Sequence, residues 1–161
     1  MASSAQIAEL VRTQAGHAQE RAWSCGPGAL VNALAILGLD ISEREVRAMA
    51  DTSFVDGTDE HGLLDAIESL GFTAEVIWTS GRAGAWSRLV SHLQMGHPAL
   101  LCVDQWDHWV AITGTDDGET VMMIDPAEEP PHEEVISFAD LMRRWRFPDE
   151  DRPYYAIVVS P

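Results

Sequence analysis

The sequence has few basic residues, few cysteines and no apolar run long enough to cross a bilayer. Its 10 Lys and Arg residues stand against 26 Asp and Glu residues, and the formal net charge of −16 argues against a nucleic acid or an anionic membrane surface as partner. Two cysteines are too few for a disulfide-stapled secreted scaffold. Met1 to Ser24 lacks the succession of basic, apolar and small residues that marks a signal peptide. We therefore expect a soluble cytoplasmic protein with free thiols.

The composition is that of a folded domain, since 46% of the 161 residues are hydrophobic and both charge signs are present. No internal repeat and no long linker divides the chain. We expect one domain over 1–161, helical over about 1–70 and mainly β over about 71–161. This order predicts an α+β fold in which N-terminal helices pack on a C-terminal antiparallel sheet.

Apolar spacing, capping residues and turn residues predict the individual elements. Ser42 and Glu45 form a capping-box pattern, and Thr58 is the expected cap of the next helix. A turn containing Asp117-Gly118 is expected to join two strands, and the acidic insert Ala127 to Glu134 is expected to be a loop. Helices are predicted over Ala5–Val11, Cys25–Leu37, Ser42–Ala50, Thr58–Leu70, Trp86–Gln94 and Phe138–Trp145, and strands over Thr73–Trp78, Pro98–Val103, Asp107–Thr113, Thr120–Asp125 and Tyr154–Val159.

A cysteine stands where a polar loop turns into an apolar helical run. Cys25 begins a predicted helix whose apolar residues recur at helical spacing until Gly38, and Pro27 suits its first turn. The unpaired N–H groups and the positive dipole end at a helix start favour a thiolate. We predict that Cys25 is a nucleophile, whereas Cys102, inside a continuous apolar strand, is predicted to be an inert core residue.

A nucleophilic thiol needs a base, and His108 is the best candidate among the six histidines. It heads a predicted strand on the same face as Val110 and Ile112. For a hairpin loop of even length, Asp125 lies opposite His108 or diagonal to it on that face and can orient the ring. An odd-numbered loop or a bulge would separate the two. Asp107 points to the other face and is the poorer orienter.

Three further observations complete the predicted site. Gln19 lies six residues before Cys25, where its amide and the Cys25 backbone N–H can stabilise a developing oxyanion. Trp23 is a candidate wall of a substrate groove, although a tryptophan in a domain of this size is usually a core residue. A zinc site formed by His97, Cys102 and His108 would lack paired ligand spacing, and we expect no metal or organic cofactor.

Taken together, these residues resemble the papain-like cysteine peptidases, and among them the bacteriocin-processing double-glycine leader peptidases and their stand-alone relatives. The segments that carry the resemblance are Gln19 with Cys25-Gly26, Asp107-His108-Trp109-Val110 and Met123-Ile124-Asp125-Pro126. The resemblance implies a papain-like fold with Cys25 as nucleophile, His108 as general base and acid, Asp125 as the orienter of the ring and Gln19 as oxyanion donor. It also implies cleavage of a peptide substrate, which family members cut after a Gly-Gly pair in the leader.

The resulting hypothesis is a cysteine peptidase or amide hydrolase that acts on a peptide or peptide-like amide, with a Gly-Gly leader as one candidate. Two alternatives from other classes remain. An acyltransferase would use the same residues but pass the acyl group to an amine. A catalytically silent relative would bind peptides without turnover.

Overall fold

The computed structural model describes residues 16–53, 55 and 57–161, so the helix predicted over Ala5–Val11 lies outside the described residues. In this part of the chain the helices are α1 (Cys25–Ile36), α2 (Glu43–Met49), α3 (Glu60–Ser69), α4 (Arg82–Gln94) and α5 (Phe138–Trp145). The strands are β1 (Thr73–Thr79), β2 (Ala99–Val103), β3 (His108–Gly114), β4 (Thr120–Ile124), β5 (Glu133–Ser137) and β6 (Tyr154–Ser160). No helix among the described residues is long and apolar enough to cross a membrane.

The strands form one antiparallel sheet in the order β1-β6-β2-β3-β4-β5. Helices α1, α2 and α3 bury their apolar residues on one face of this sheet, and α4 and α5 cover the other face. The predicted α+β class, with N-terminal helices packed on a later antiparallel sheet, is confirmed. Since both faces are covered, the central strands β2 and β3 are apolar at nearly every position rather than alternating.

The ends of several elements follow from local hydrogen bonds. The capping box of α2 is present, because Ser42 accepts the Glu45 N–H at 3.2 Å and the Glu45 carboxylate accepts the Ser42 N–H at 3.2 Å. The predicted cap of α3 was wrong by one residue. Asp59 caps it by accepting the Gly62 N–H at 2.8 Å, while the Thr58 hydroxyl bonds to Thr52 instead.

Strand β5 was missed, because the predicted loop extended to Glu134. Among the strands that the structure describes, β5 pairs with β4 alone and lies at the edge of the sheet, where Val135 is 71% exposed. An edge strand that carries glutamates has little of the apolar alternation that identifies a buried strand, and such charges protect an edge against pairing with other chains. Helix α4 also begins earlier than predicted, at Arg82.

The β3–β4 connection is not the even-length loop on which the predicted alignment of His108 with Asp125 depended. Residues 115–119 form a five-residue loop, and the register shifts by one between Ile112 and Gly114. The odd loop and the bulge cancel, so that Ala111 pairs with Ile124 as in an even-loop hairpin. Asp125, the next residue, therefore comes opposite Val110 and diagonal to His108, on the face that the sequence predicted.

Candidate active site

Cys25 is the first residue of α1, and its thiol is partly exposed at the end of an otherwise buried helix. The helix packs across β3, so its start lies near the beginning of that strand. Ser24, the residue before it, makes no capping hydrogen bond with its side chain. The first N–H groups of α1 are therefore not taken by a side-chain cap.

His108 and Asp125 form a short hydrogen bond at the end of β3, with 2.7 Å between His108 Nε2 and Asp125 Oδ1. Both side chains are largely buried, at 17% and 13% exposed. The Ala127 N–H donates to the same carboxylate oxygen at 2.9 Å and fixes its position. Because Nε2 is occupied by Asp125, Nδ1 is the ring nitrogen left for another partner.

Electrostatics favour an imidazolium beside an ionised carboxylate. Burial, the largest single effect, lowers the pKa of His108, but hydrogen bonds to Asp125 and Cys25 and the charges of both outweigh it and raise the pKa to about 9. Burial also acts to raise the pKa of Asp125. Hydrogen bonds from His108 and the Ala127 N–H, with the charges of His108 and Arg144, bring that pKa below its ordinary value. The ring is thus protonated at neutral pH and interacts with Cys25 and Asp125 together.

Arg144 of α5 links the His108–Asp125 pair to the connection between β2 and β3. Its guanidinium pairs with both oxygens of Asp104, at 3.1 and 2.9 Å, and lies 3.7 Å from Asp125 Oδ2. Asp104 begins a run of three residues with positive φ, followed by Gln105 and Trp106 at 61° each. Such angles cost non-glycine residues about 1–2 kcal/mol each, so the Arg144 pair holds a strained turn next to His108. Sequence reasoning missed Arg144 and Asp104, which are separated by 40 residues.

Gln19 is held next to the turn that follows Asp125. Its backbone N–H donates to the Pro126 carbonyl at 2.8 Å, and its side-chain amide donates to the Arg21 carbonyl at 2.7 Å. A Cβ atom on Gly28 would lie 3.0 Å from Pro126 and 3.2 Å from Gln19, so only glycine in α1 allows this approach. The structure therefore brings Gln19, the start of α1 and the Asp125 turn together.

A second residue that the sequence did not reveal, Glu43, organises the loop that carries Gln19. Its buried carboxylate accepts the Glu20 N–H at 3.0 and 3.1 Å, the Ser24 hydroxyl at 3.0 Å and a bond from the His17 ring at 3.0 Å. Glu43 itself resembles an ordinary acidic residue in the first turn of a helix, and no local pattern marks it as buried.

Two groups of described residues could hold a metal ion by their spacing: His17, Glu20 and Glu43, and Glu128, His132 and Glu134. In the first group the Glu43 oxygens already accept hydrogen bonds from protein donors. The alternative set His97, Cys102 and His108 forms no such group among the described residues. We assign no metal chemistry to either group.

A groove of about 590 Å³ opens beside the start of α1 and has mainly aromatic walls. Cys102 lies at its floor as a buried free thiol, whose pKa is raised to about 12 by burial and by the charges of Cys25, Glu60 and Asp107. Trp23, predicted as a substrate contact, is not among the residues that line it and lies under the Arg47 guanidinium instead, 5.6 Å from the ring centroid. The other lining residues are Thr58, Asp59, Glu60, His61, Val76, Trp78, Trp106, Trp109 and Tyr155.

Two solved structures that share this fold are peptidase domains. The peptidase domain of Streptococcus ComA, a bi-functional ABC transporter involved in a quorum sensing pathway, is 19% identical with a TM-score of 0.71, over 91% of this chain and 98% of that domain. A double glycine motif protease from an AMS/PCAT transporter, solved in complex with the leader peptide, is 20% identical with a TM-score of 0.69, over 93% of this chain and 94% of that one. Their fold is that of the papain-like double-glycine peptidases, as the resemblance implied.

The chain belongs to the Peptidase_C39 like family, which matches residues 11–147. An uncharacterized protein of Methanothermobacter marburgensis is 30% identical over 109 residues, which cover 68% of this chain and 69% of that protein. Family and fold together indicate a function of the cysteine peptidase type.

Proposed function

We propose that this chain is a cysteine peptidase in which Cys25 is the nucleophile, His108 the general base and acid, Asp125 the orienter of the ring and Gln19 an oxyanion donor. The observation that supports this best is the 2.7 Å bond from His108 to Asp125, in a ring that also interacts with Cys25 at a helix start. The elements that supply the residues are distant in sequence. A histidine with a purely structural role needs a single hydrogen-bond partner, whereas His108 interacts with both Asp125 and Cys25.

The reaction begins with a thiolate–imidazolium pair. The Cys25 sulfur attacks the carbonyl carbon of the peptide bond, and the electron pair of the C=O bond moves to oxygen. His108 then transfers its proton to the leaving amine as the C–N bond breaks, which leaves a thioester on Cys25. The neutral ring next takes a proton from water, whose oxygen attacks the thioester and releases the acid and the thiolate.

The oxyanion is stabilised by two donors in this scheme. The Cys25 backbone N–H is one, since no side chain caps the start of α1. Gln19 supplies the other, because its amide nitrogen carries two hydrogens and only one is used on the Arg21 carbonyl. The buried Glu43 carboxylate holds the backbone on either side of Arg21 through Glu20 and Ser24.

Thiol reactivity tests the mechanism without knowledge of the substrate. We expect iodoacetamide to alkylate Cys25 rapidly at neutral pH, and His108→Ala to slow this reaction. Cys102 serves as an internal control, because a buried thiol with a pKa of about 12 should stay unlabelled in the folded protein. Mass spectrometry separates the two sites. Equal labelling rates of Cys25 in wild type and His108→Ala would contradict the proposal.

Peptides with a Gly-Gly leader are the first substrates to test, since a structural relative was solved with its leader peptide. Wild type is expected to cut members of a peptide library that Cys25→Ala leaves intact. Products formed with added amines separate hydrolysis from acyl transfer. Peptides that bind to wild type without turnover would support the catalytically silent alternative.

A further inference from the structure

The aromatic groove begins one residue away from the proposed nucleophile. A Cβ atom on Gly26 would lie 3.2 Å from Thr58 and 3.5 Å from the Trp109 ring, and both residues line the groove. The Trp109 indole donates to the Thr58 carbonyl at 3.2 Å, which fixes this end of the wall. A peptide held across Cys25 can therefore place a nearby side chain in the groove.

The walls of the groove form an aromatic box around Tyr155. The rings of Trp78, Trp106 and Trp109 stand edge-on to Tyr155, with centroids at 6.1, 6.3 and 6.3 Å. Aromatic faces attract cations and cover the aliphatic stems of long basic side chains. The Trp78 ring already binds a cation of the chain itself, since the Arg152 guanidinium lies 3.7 Å from its centroid.

The charge in the groove is negative. Glu60 is the first residue of α3, where the helix dipole favours an ionised carboxylate, and its side chain is 46% exposed. Its neighbour Asp59 is committed to the cap of α3, whereas the Glu60 carboxylate lies 3.8 Å from His61, a side chain that is itself 80% exposed. No arginine among the described residues lines the groove.

Neutral groups surround this carboxylate. Burial, followed by the charge of Glu60, raises the pKa of Tyr155 to about 12, so the phenol stays uncharged at neutral pH. The Cys102 thiol at the floor is uncharged for the same reason. Glu60 is itself one of the residues that line the groove, so its carboxylate lies at the groove wall beside these neutral groups.

We propose that this groove binds an arginine or lysine side chain of the peptide substrate, with its stem against Trp109 and Tyr155 and its cationic head at Glu60. This specificity rests on the proposed function, because it concerns the peptide that Cys25 cleaves. The basic residue lies within a few positions of the cleaved bond, since the groove starts beside Gly26. The formal net charge of −16 also draws cationic peptides toward the protein.

Paired peptides containing arginine or its neutral isostere citrulline provide the test. A positional library of short peptides, each with one arginine or one citrulline, is titrated against Cys25→Ala, and binding is followed by tryptophan fluorescence and calorimetry. We expect the arginine member to bind about fivefold more tightly at one or two positions, the range for a half-exposed ion pair supported by aromatic faces. Equal binding of the two members at every position, or no binding at all, overturns the proposal.

Variants of α3 identify the carboxylate. Adding Glu60→Gln to Cys25→Ala should abolish the preference for arginine, and Glu60→Arg should turn it into a preference for acidic peptides. Asp65→Asn removes one negative charge from the exposed side of the same helix and should leave the preference intact. Loss of the preference in Asp65→Asn to the same degree would point to net charge alone and refute a role of the groove.

The two proposals fail in different ways. Binding to Cys25→Ala needs no catalysis, so the citrulline comparison is valid whether or not the protein cleaves peptides. Thiol alkylation needs no peptide, so it tests Cys25 and His108 independently of the groove. Cleavage by wild type without any preference for basic residues would retain the peptidase and reject the specificity.

Discussion

Replacing Asp125 by asparagine is the sharpest test of the electrostatics around His108. The substitution keeps the shape of the side chain and a possible hydrogen bond but removes the charge that opposes the effect of burial on the ring. Without that charge, burial is opposed less strongly, and the pKa of His108 is expected to fall to about its ordinary value of 6.5. Imidazolium should then be lost at a lower pH.

The size of the effect follows from the two pKa values. The difference between about 9 and 6.5 corresponds to about 3 kcal/mol, and it is only partly screened because the His108 side chain is 17% exposed. At pH 8 the ring is roughly 90% protonated with the higher pKa and roughly 3% with the lower, a fall of about 30-fold in imidazolium. At pH 5.5 the ring is roughly 90% protonated or more in either case.

Two measurements check this expectation. NMR titration of the His108 ring gives its pKa directly, and kcat/KM from pH 5 to pH 10 shows whether the alkaline limb moves by the same amount. A poorer ring orientation lowers the rate at every pH, so the ratio of rates at pH 8 and pH 5.5 isolates the charge effect. Asp107→Asn, an exposed residue that is adjacent in sequence, is the control and should move neither quantity. A His108 pKa that stays near 9 in Asp125→Asn would refute the reasoning.

Four further substitutions test other parts of the site and its support. Gln19→Ala should lower kcat by roughly 100-fold while leaving the alkylation rate of Cys25 unchanged, because an oxyanion donor acts only on the bound carbonyl. Glu43→Gln should reduce the free energy of unfolding by about 1–3 kcal/mol in urea titrations, since the new amide group faces N–H donors. Gly62→Ala should lower the Tm because its methyl group would run into the Ala50 carbonyl. Gly84→Ala, at a helical position facing open space, should instead raise stability by about 0.5–1 kcal/mol.

Local rules predicted the parts of the fold that local forces determine. The start of α1 at Cys25, the capping box of α2 and the full extent of α5 follow from residues within one or two turns of each other. The same rules did not identify strand β5, because its glutamates reflect its place at the edge of the sheet and not its backbone conformation.

The predicted alignment of His108 with Asp125 agrees with the structure for an incomplete reason. The loop of residues 115–119 is odd in length and alone would have placed the two side chains on opposite faces. The bulge between Ile112 and Gly114 shifts the register by one residue and returns both side chains to the same face. No local sequence pattern predicts this bulge. Pattern reasoning identified the correct face, but only tertiary packing determines where a strand takes up an extra residue.

The supporting residues lay beyond sequence reasoning because their partners are far away along the chain. Glu43 bonds to groups 19 to 26 residues before it, and Arg144 pairs with Asp104 across 40 residues. An isolated glutamate or arginine on a short helix has no periodic pattern that distinguishes burial from exposure. The positions of Glu43 and Arg144 near the proposed nucleophile and base become evident only once the fold is known.

The central position of β6 has a consequence for the order of folding. This strand pairs with β1 on one side and β2 on the other, and β1 has no other strand neighbour within the described residues 16–53, 55 and 57–161. Until residues 154–160 are synthesised, β1 and the β2–β5 portion share no ladder of hydrogen bonds. During translation β6 must therefore insert between the exposed edges of β1 and β2, and we expect this long-range step to limit the folding rate. The wall that Tyr155 gives to the aromatic groove is formed only when that insertion is complete.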